Sequence, residues 1–293
     1  MSKLPVPPQP SRQSVRRSEG RIAQRFRELA DKGELGLVAY ITAGDPSLEA
    51  TEKIVLAAAE AGADVIELGV PFSDPVADGP TIQRASERAL RSGTTLAGVL
   101  ELVRRLRTRT SVPLILFSYF NPILQMGLDK FADTAAAAGA DGVLATDLTP
   151  EEAGEYRTAM QARGLDTIFL AAPTSTDARL MRIADFSSGF LYLISRAGVT
   201  GAREAPPEEL PALVRRARQF TSLPIAVGFG ISLPTHVTVL GEIADAAVVG
   251  STLMAEVEKA ASPELAAAAV GERVKLLKHA AREGVSRRTK SPG

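Results

Sequence analysis

The chain has 293 residues with 34 basic and 34 acidic side chains, so its formal net charge at pH 7 is zero. This balance excludes the strong overall positive charge of a protein that binds nucleic acid mainly by neutralising phosphates. A hydrophobic fraction of 45% excludes an intrinsically disordered chain. The absence of cysteine excludes disulfides, zinc ribbons and cysteine nucleophiles.

The two ends of the sequence differ in composition from the rest. Both are basic, and neither contains an apolar stretch long enough for a signal peptide or a membrane span. We interpret residues 1–20 as a flexible leader, 21–282 as a single domain and 283–293 as a flexible basic tail. A cytoplasmic protein that does not bind membranes is the expectation.

Between the ends, short apolar segments alternate eight times with amphipathic or alanine-rich segments. The apolar segments are mostly continuous, which is typical of parallel strands buried on both faces. Eight strand–helix units predict a single (β/α)8 TIM barrel with an added N-terminal segment, and a doubly wound open sheet is the alternative. The predicted strands are a first one ending at Ile41, then 65–70, 113–120, 142–148, 167–173, 190–198, 223–230 and 245–250.

A TIM barrel places its reactive side chains at the C-terminal ends of its strands. No lysine lies on a predicted strand or at such an end, and both histidines, His236 and His279, fall in predicted helices. This argues against a Schiff-base aldolase and against a histidine-ligated metal site, so we expect no metal. Carboxylates remain as the candidate reactive groups.

Glu67 lies inside the second predicted strand, VIELGV. Strand alternation places it on one face with Val65 and Gly69, and we expect this face to point into the barrel. Burial there raises the pKa of a carboxyl group towards the range that is useful for proton transfer at neutral pH. A buried hydrogen bond or salt bridge is the structural alternative.

Further carboxylates follow the predicted strands. Asp74 and Asp78 lie in the loop after the second strand, where Asp78 suits either catalysis or the N-cap of the next helix and Asp74 suits a turn. Asp45 and Asp147 also lie at strand ends, where each is expected to form a turn or a cap.

Glycines cluster after the last three predicted strands. Because glycine lets backbone N–H groups approach an anion, and a helix N-terminus adds a favourable dipole, the cluster indicates a phosphate site; turns are the alternative. The cluster comprises Gly198, Gly201, Gly228, Gly230 and the pair Gly250–Ser251.

Aromatic side chains on the predicted strands suit an apolar pocket for a flat substrate, although core packing explains them equally well. They are Tyr40, Phe117, Tyr119, Tyr192 and Phe229, with Leu116 beside them.

One long motif closely resembles the signature of the tryptophan synthase α chain family. It is ELGVPFSDPVADGPTIQ at 67–83, and it contains both Glu67 and Asp78. The resemblance extends over about Arg21 to Arg282 and includes AYITAGDP (39–46), ISRAGVTGA (194–202), GFGIS (228–232) and VVGS (248–251).

The resemblance implies a TIM barrel that splits indole-3-glycerol phosphate into indole and glyceraldehyde 3-phosphate by a retro-aldol reaction. Glu67 matches the general acid/base, Asp78 the group that holds the indole N–H, and Tyr192 an active-site tyrosine beside them. The other matching positions are Gly201, Gly230, Gly250 and Ser251 for the phosphate; Tyr40, Leu116, Tyr119 and Phe229 for the indole pocket; and Asp74 and Thr200 for loop closure. Tyr40 stands where relatives often have phenylalanine, which affects the polarity of the pocket.

The resemblance also implies a partner. The loops at 71–80 and about 196–210 match segments that close over substrate and meet a β chain, which holds pyridoxal phosphate and converts indole to tryptophan. We therefore expect an αββα tetramer and no cofactor in this chain. A stand-alone lyase, a non-catalytic barrel that activates a β partner, and a sugar-phosphate isomerase barrel remain as alternatives.

Overall fold

The chain forms a barrel of parallel strands surrounded by helices. The computed structural model describes residues 20–194, 209–228 and 230–288. All paired strands are parallel. They are β1 (Gly36–Thr42), β2 (Val65–Gly69), β3 (Leu114–Ser118), β4 (Gly142–Ala145), β5 (Asp166–Ile168), β6 (Leu170–Ala171), β7 (Leu191–Ile194), β8 (Ile225–Gly228) and β9 (Ala246–Val249).

The sheet closes through β5 and β6. The strand order is β5-β4-β3-β2-β1-β9-β8-β7-β6, and only Phe169 separates the two terminal strands in sequence. β5 pairs with β4, and β6 pairs with β7. The segment 166–171 is therefore one barrel strand with a neighbour on each side, which confirms the predicted eight-stranded TIM barrel and excludes the open sheet.

Helices follow the strands as predicted. Side-chain caps stabilise several helix starts, because the hydroxyls of Ser47, Thr95, Thr176 and Ser262 accept hydrogen bonds from backbone N–H groups of the first turns. The helices are α1 (Arg21–Lys32), α2 (Leu48–Glu60), α3 (Pro80–Arg91), α4 (Leu96–Arg107), α5 (Phe120–Met126), α6 (Leu128–Ala138), α7 (Gly154–Gln161), α8 (Asp177–Phe186), α9 (Leu210–Arg218), α10 (Pro234–Leu240), α11 (Ser251–Lys259) and α12 (Pro263–Arg288).

Two helical features differ from the sequence analysis, which assigned no helix before the first strand. α1 buries Ile22, Phe26 and Leu29, whose spacing is typical of one helix face. The last helix, α12, continues to Arg288, six residues beyond position 282, after which we expected the basic tail to begin. None of the helices in the described ranges is both long and apolar enough to cross a membrane.

The apolar core has two layers, because strand side chains alternate between the two faces of the sheet. The outer layer lies between strands and helices and includes Ile66 and Leu68. The inner layer fills the barrel and includes Val38, Val65 and Ile115. The buried side chains of α1 belong to the inner layer, so this helix covers the N-terminal end of the barrel, which we call the base.

Aspartates organise the base. Three of them stand immediately before β2, β4 and β9, and each accepts a hydrogen bond from a backbone N–H of the preceding strand in the barrel. The bonds are Leu37 N to Asp64 Oδ2 (2.6 Å), Leu114 N to Asp141 Oδ2 (2.8 Å) and Ile225 N to Asp245 Oδ2 (2.7 Å).

Candidate active site

Glu67 points into the barrel, as the strand alternation predicts. It pairs in register with Tyr40 on β1 and Ile115 on β3, whereas its neighbours Ile66 and Leu68 pack in the outer layer. The residue is fully buried, and neither carboxyl oxygen has a hydrogen-bond partner among the described residues. Burial raises the pKa of Glu67 to about 8, so the carboxyl group is mostly protonated at neutral pH. Within the part of the chain that the structure describes, neither a hydrogen bond nor a salt bridge satisfies this carboxyl group, which argues against the structural alternative.

Asp78 lies in the loop between β2 and α3. This loop lies at the C-terminal end of the barrel strands, which we call the mouth. The carboxylate of Asp78 does not cap α3, because the N-cap residue is Gly79 and the helix begins at Pro80 without a side-chain cap. Instead, the Tyr119 hydroxyl donates to Asp78 Oδ2 at 3.2 Å. Partial burial raises the pKa of Asp78 to about 6, while the hydrogen bond from Tyr119 opposes this shift.

The loop around Asp78 is fixed from two sides. The Gln83 side chain, in the first turn of α3, donates to the carbonyl of Asp78 at 2.9 Å. The Tyr119 hydroxyl accepts a hydrogen bond from Ala77 N at 2.9 Å, and its ring lies 5.0 Å from that of Phe72. The position of Asp78 is thus set by α3 and by the residue that follows β3.

Tyr40 and Tyr192 are buried, and strand alternation places them on the same faces as the inner-layer residues Val38 and Phe190. Burial, together with the nearby carboxylates, raises the pKa of both hydroxyls, so they remain protonated. Glycines make room for them: a Cβ at Gly69 would lie 2.1 Å from the Tyr40 hydroxyl, and one at Gly228 would lie 2.8 Å from that of Tyr192. A substitution at either glycine would therefore displace a tyrosine next to Glu67.

Leu116 does not belong to this group. It pairs with Leu68 and packs in the outer layer under the helices, because it stands one residue out of phase with the inward-facing positions of β3. The prediction that Leu116 lines the indole pocket is wrong. Phe117 takes its place and packs edge-on against Tyr40, with ring centroids 5.1 Å apart. Strand alternation in the sequence already indicates this choice.

Of the predicted phosphate positions, Gly250 and Ser251 stand together at the mouth. Gly250 is the N-cap residue of α11, and Ser251 is the first residue of that helix. A Cβ on Gly250 would lie 3.3 Å from the Cβ of Tyr40, which places this helix start directly beside β1. Gly230 adopts a positive φ of 81° after β8. Gly198, Thr200, Gly201 and Phe229 lie outside the described residues.

The remaining strand-end carboxylates have other partners. Asp74 is exposed and accepts a hydrogen bond from the hydroxyl of Ser73 at 2.6 Å. Asp45 does not cap α2, since Ser47 does so; its buried carboxylate accepts two hydrogen bonds from Arg88. Asp147 accepts a hydrogen bond from Phe120 N at 2.7 Å and so caps α5, which lies before it in the sequence.

Within the described residues, the lysines and both histidines lie on helices and none lies on a strand. The buried Lys278 lies at the base, where it contacts Asp64 at 2.8 Å, and His236 and His279 lie in α10 and α12. Within the described ranges, no cluster of three or more potential metal ligands occurs. The described part of the candidate site thus includes two carboxyl groups of raised pKa, three tyrosines and the start of a helix.

Comparison with known proteins identifies the family. The profile of the tryptophan synthase alpha chain family matches residues 26–282. The tryptophan synthase alpha chain of Solibacter usitatus is 53% identical over 239 residues, which cover 82% of this chain and 90% of that protein. That of Geobacter sp. (strain M21) is 53% identical over 245 residues, covering 84% and 92%.

Solved structures agree in fold. The alpha subunit from Legionella pneumophila superposes with a TM-score of 0.83 at 38% identity, over 90% of this chain and 99% of that one. A tryptophan synthase chain from Mycobacterium tuberculosis gives a TM-score of 0.83 at 34% identity, over 90% and 98%. The chain belongs to the tryptophan synthase alpha chain family, whose lyase reaction cleaves indole-3-glycerol phosphate to indole, which passes to a β chain, and glyceraldehyde 3-phosphate.

Proposed function

We propose that Glu67, Asp78 and Tyr192 form the catalytic group for this cleavage, with Glu67 as the proton carrier. One observation carries the proposal: Glu67 is a fully buried carboxyl group without a hydrogen-bond partner among the described residues. Its pKa of about 8 supplies the protonated form at neutral pH. A group of this kind can both give and take a proton near the working pH.

Protonated Glu67 first gives its proton to C3 of the indole ring, which becomes a positively charged indolenine. The resulting carboxylate then takes the proton from the hydroxyl on the adjacent side-chain carbon. The bond between that carbon and C3 breaks, the hydroxyl carbon becomes the aldehyde of glyceraldehyde 3-phosphate, and the electron pair returns to the ring. Glu67 ends the cycle protonated, so protons balance. The ring itself serves as the electron sink, and neither a Schiff base nor a metal has a step to perform.

Asp78 acts on the positive charge that develops at the indole nitrogen. Its pKa of about 6 leaves it mostly ionised at pH 7, while Glu67 remains protonated. A carboxylate in a partly buried site stabilises a developing cation more strongly than one in water. Two carboxyl groups with separated pKa values thus divide the acid/base and electrostatic roles between them.

The remaining positions hold the two ends of the substrate. Tyr40, Phe117, Tyr119 and Tyr192 provide aromatic surface for the indole ring, to which we add Phe229. The start of α11 suits the phosphate, because its backbone N–H groups and helix dipole favour an anion. Gly201, Gly230, Gly250 and Ser251 are the proposed phosphate positions.

We further propose an αββα tetramer in which pyridoxal phosphate is held only by the β chain. The loop after β2 supports a contact there, because Val76 at its tip is 86% exposed beside the exposed Asp74. An apolar side chain exposed to this degree, next to an exposed carboxylate, suits a protein partner. Asp74 and Thr200 would then serve loop closure, and the complex would work in the cytoplasm.

The test measures the release of indole from indole-3-glycerol phosphate. Reactions are run with and without purified β chain, and indole is detected by chromatography. Slow release that rises greatly on addition of the β chain is the expected result. Fast release by the isolated chain would favour a stand-alone lyase. If neither sample releases indole, the assignment of Glu67 and Asp78 to this chemistry fails.

A further inference from the structure

Arg88 connects three elements at the mouth. It lies on α3, and its guanidinium group makes two parallel hydrogen bonds to the carboxylate of Asp45, from Nε to Oδ1 and from Nη2 to Oδ2, both at 2.8 Å. Its third nitrogen, Nη1, donates to Glu258 Oε1 on α11 at 2.9 Å. The Asp45 side chain is 1% exposed, so this carboxylate depends on Arg88 for compensation of its charge.

Glu258 is shared with a second arginine of α3. Arg84, one turn before Arg88, donates to both carboxylate oxygens of Glu258 at 2.7 and 2.9 Å. Hydrogen bonds from Arg84 lower the pKa of Glu258 to about 2, so the carboxylate stays ionised in any assay near neutral pH. The Arg84 side chain is 49% exposed, and its described hydrogen bonds go to Glu258 rather than to Asp45, which makes it a natural control for Arg88.

The two helices that Arg84 and Arg88 join, α3 and α11, begin at opposite ends of the proposed site: α3 at the Asp78 end and α11 at the phosphate end. α3 starts directly after Asp78 and holds the carbonyl of that residue through Gln83. α11 starts at Gly250 and Ser251, the proposed phosphate end. β1 contacts both helices, and Met254 Sδ of α11 accepts a hydrogen bond from Thr42 N of β1 at 3.4 Å.

We propose that Arg88 is a positioning residue that sets the separation between Asp78 and the phosphate-binding start of α11. The bidentate pair fixes α3 to the loop after β1. The bond to Glu258 joins the same guanidinium group to α11, so Arg88 links all three elements, whereas Arg84 links only α3 and α11. The substrate has an indole ring at one end and a phosphate at the other. It can contact Asp78 and the start of α11 at the same time only if these two groups are the right distance apart. This inference rests on the proposed roles of Asp78 and of the start of α11.

The first test is Arg88→Lys, with Arg84→Lys as the matched control on the same helix. Lysine keeps a positive charge for Asp45 but cannot form the planar fork or the third bond. We expect kcat/KM for indole-3-glycerol phosphate to fall on the order of 10- to 100-fold in Arg88→Lys, because small misplacements of reacting groups cost this much. Arg84→Lys should remain close to the parent protein.

A second measurement separates positioning from general damage. Indole and glycerol 3-phosphate, the two ends of the substrate, are titrated separately into the folded Arg88→Lys protein. Each should bind nearly as well as to the parent, whereas KM for the joined substrate rises. If both fragments lose affinity together with a lower melting temperature, Arg88 has only a structural role and the proposal is overturned.

The double variant Asp45→Asn with Arg88→Gln covers the case in which the single variant fails to fold. It removes both charges of the buried pair, which proteins often tolerate, and should fold while retaining the loss in kcat/KM. Parent-like kcat/KM in the folded double variant, or in Arg88→Lys, would overturn the proposal. Failure of the proposed site would be visible separately, as full activity of an Asp78→Asn protein that keeps Arg88.

Discussion

Carboxyl groups are buried at both the base and the mouth of this barrel, but the partners of Asp64 and Asp141 at the base differ from those of Glu67 and Asp78 at the mouth. At the base, Asp64 accepts a hydrogen bond from a strand N–H and contacts both Arg25 and Lys278. Asp141 is held in the same manner by Arg21 and Arg107. At the mouth, Glu67 has no hydrogen-bond partner among the described residues, and the described hydrogen bond to the carboxylate of Asp78 comes from Tyr119.

This difference separates stability from chemistry. A carboxylate surrounded by N–H donors and cations stabilises the fold through its hydrogen bonds and ion pairs. A carboxyl group buried without such partners destabilises the fold when ionised, but its proton can be transferred at neutral pH. The barrel thus places ion-paired acids where helix α1 closes it. At the mouth it pairs Asp45 with Arg88 but leaves Glu67 and Asp78 without a described cationic partner.

The largest effect is expected for Glu67→Gln. Turnover should fall on the order of 1,000-fold, because glutamine cannot carry the proton, while substrate binding persists. The folded-state pKa of about 8 exceeds the ordinary value of 4.5, so ionisation makes the parent lose stability as pH rises from about 4.5 to about 8. The variant should therefore gain melting temperature relative to the parent at pH 8 but not at pH 4. Near-normal turnover would remove Glu67 from the role of proton carrier.

Asp64→Asn tests the base. Because it leaves Lys278 buried without its closest carboxylate, we expect a loss of about 3–5 kcal/mol in the free energy of unfolding. In denaturant titrations, Asp64→Asn combined with Lys278→Met should recover most of this loss. The kcat/KM of the folded variant should stay unchanged, and a selective loss of turnover would contradict the division between base and mouth.

Asp78→Asn should lower kcat/KM on the order of 100-fold, because it removes the charge opposite the indole nitrogen. The melting temperature should change little, since Asp78 does not cap α3. Thermal unfolding and steady-state kinetics on the same preparation check both statements. A collapse of the melting temperature would show that Asp78 supports the fold after all.

The smallest effect is expected for Tyr119→Phe. It is measured as a shift in the pH dependence of kcat/KM. The parent kcat/KM should rise as pH passes about 6, where Asp78 ionises, and fall as pH passes about 8, where Glu67 loses its proton. Since the Tyr119 hydrogen bond lowers the pKa of Asp78, its removal should move the acidic limb to higher pH and leave the alkaline limb in place. An unmoved acidic limb would argue against Asp78 as the titrating group.

Strand alternation and repetition in the sequence were sufficient for the barrel and for the inward direction of Glu67. Both depend on local periodicity, because side chains on a strand alternate and parallel strands require connecting helices. The same periodicity places Phe117 rather than Leu116 in the barrel, although the match to the family pattern led to the wrong choice.

The hydrogen-bond and ion-pair partners of the other carboxylates could not be predicted from local periodicity in the sequence. Asp45 looked like a turn residue but pairs with Arg88, 43 positions later, and Asp147 caps a helix that begins 27 positions earlier. Asp78 looked equally suited to a helix cap, and only the helix start at Pro80 and the contact with Tyr119 removed that option. The sequence by itself determined the repeating unit and the face of each strand, which follow from local backbone geometry. Only the closed barrel decided which charges are neutralised, because that depends on which distant side chains the packing brings together.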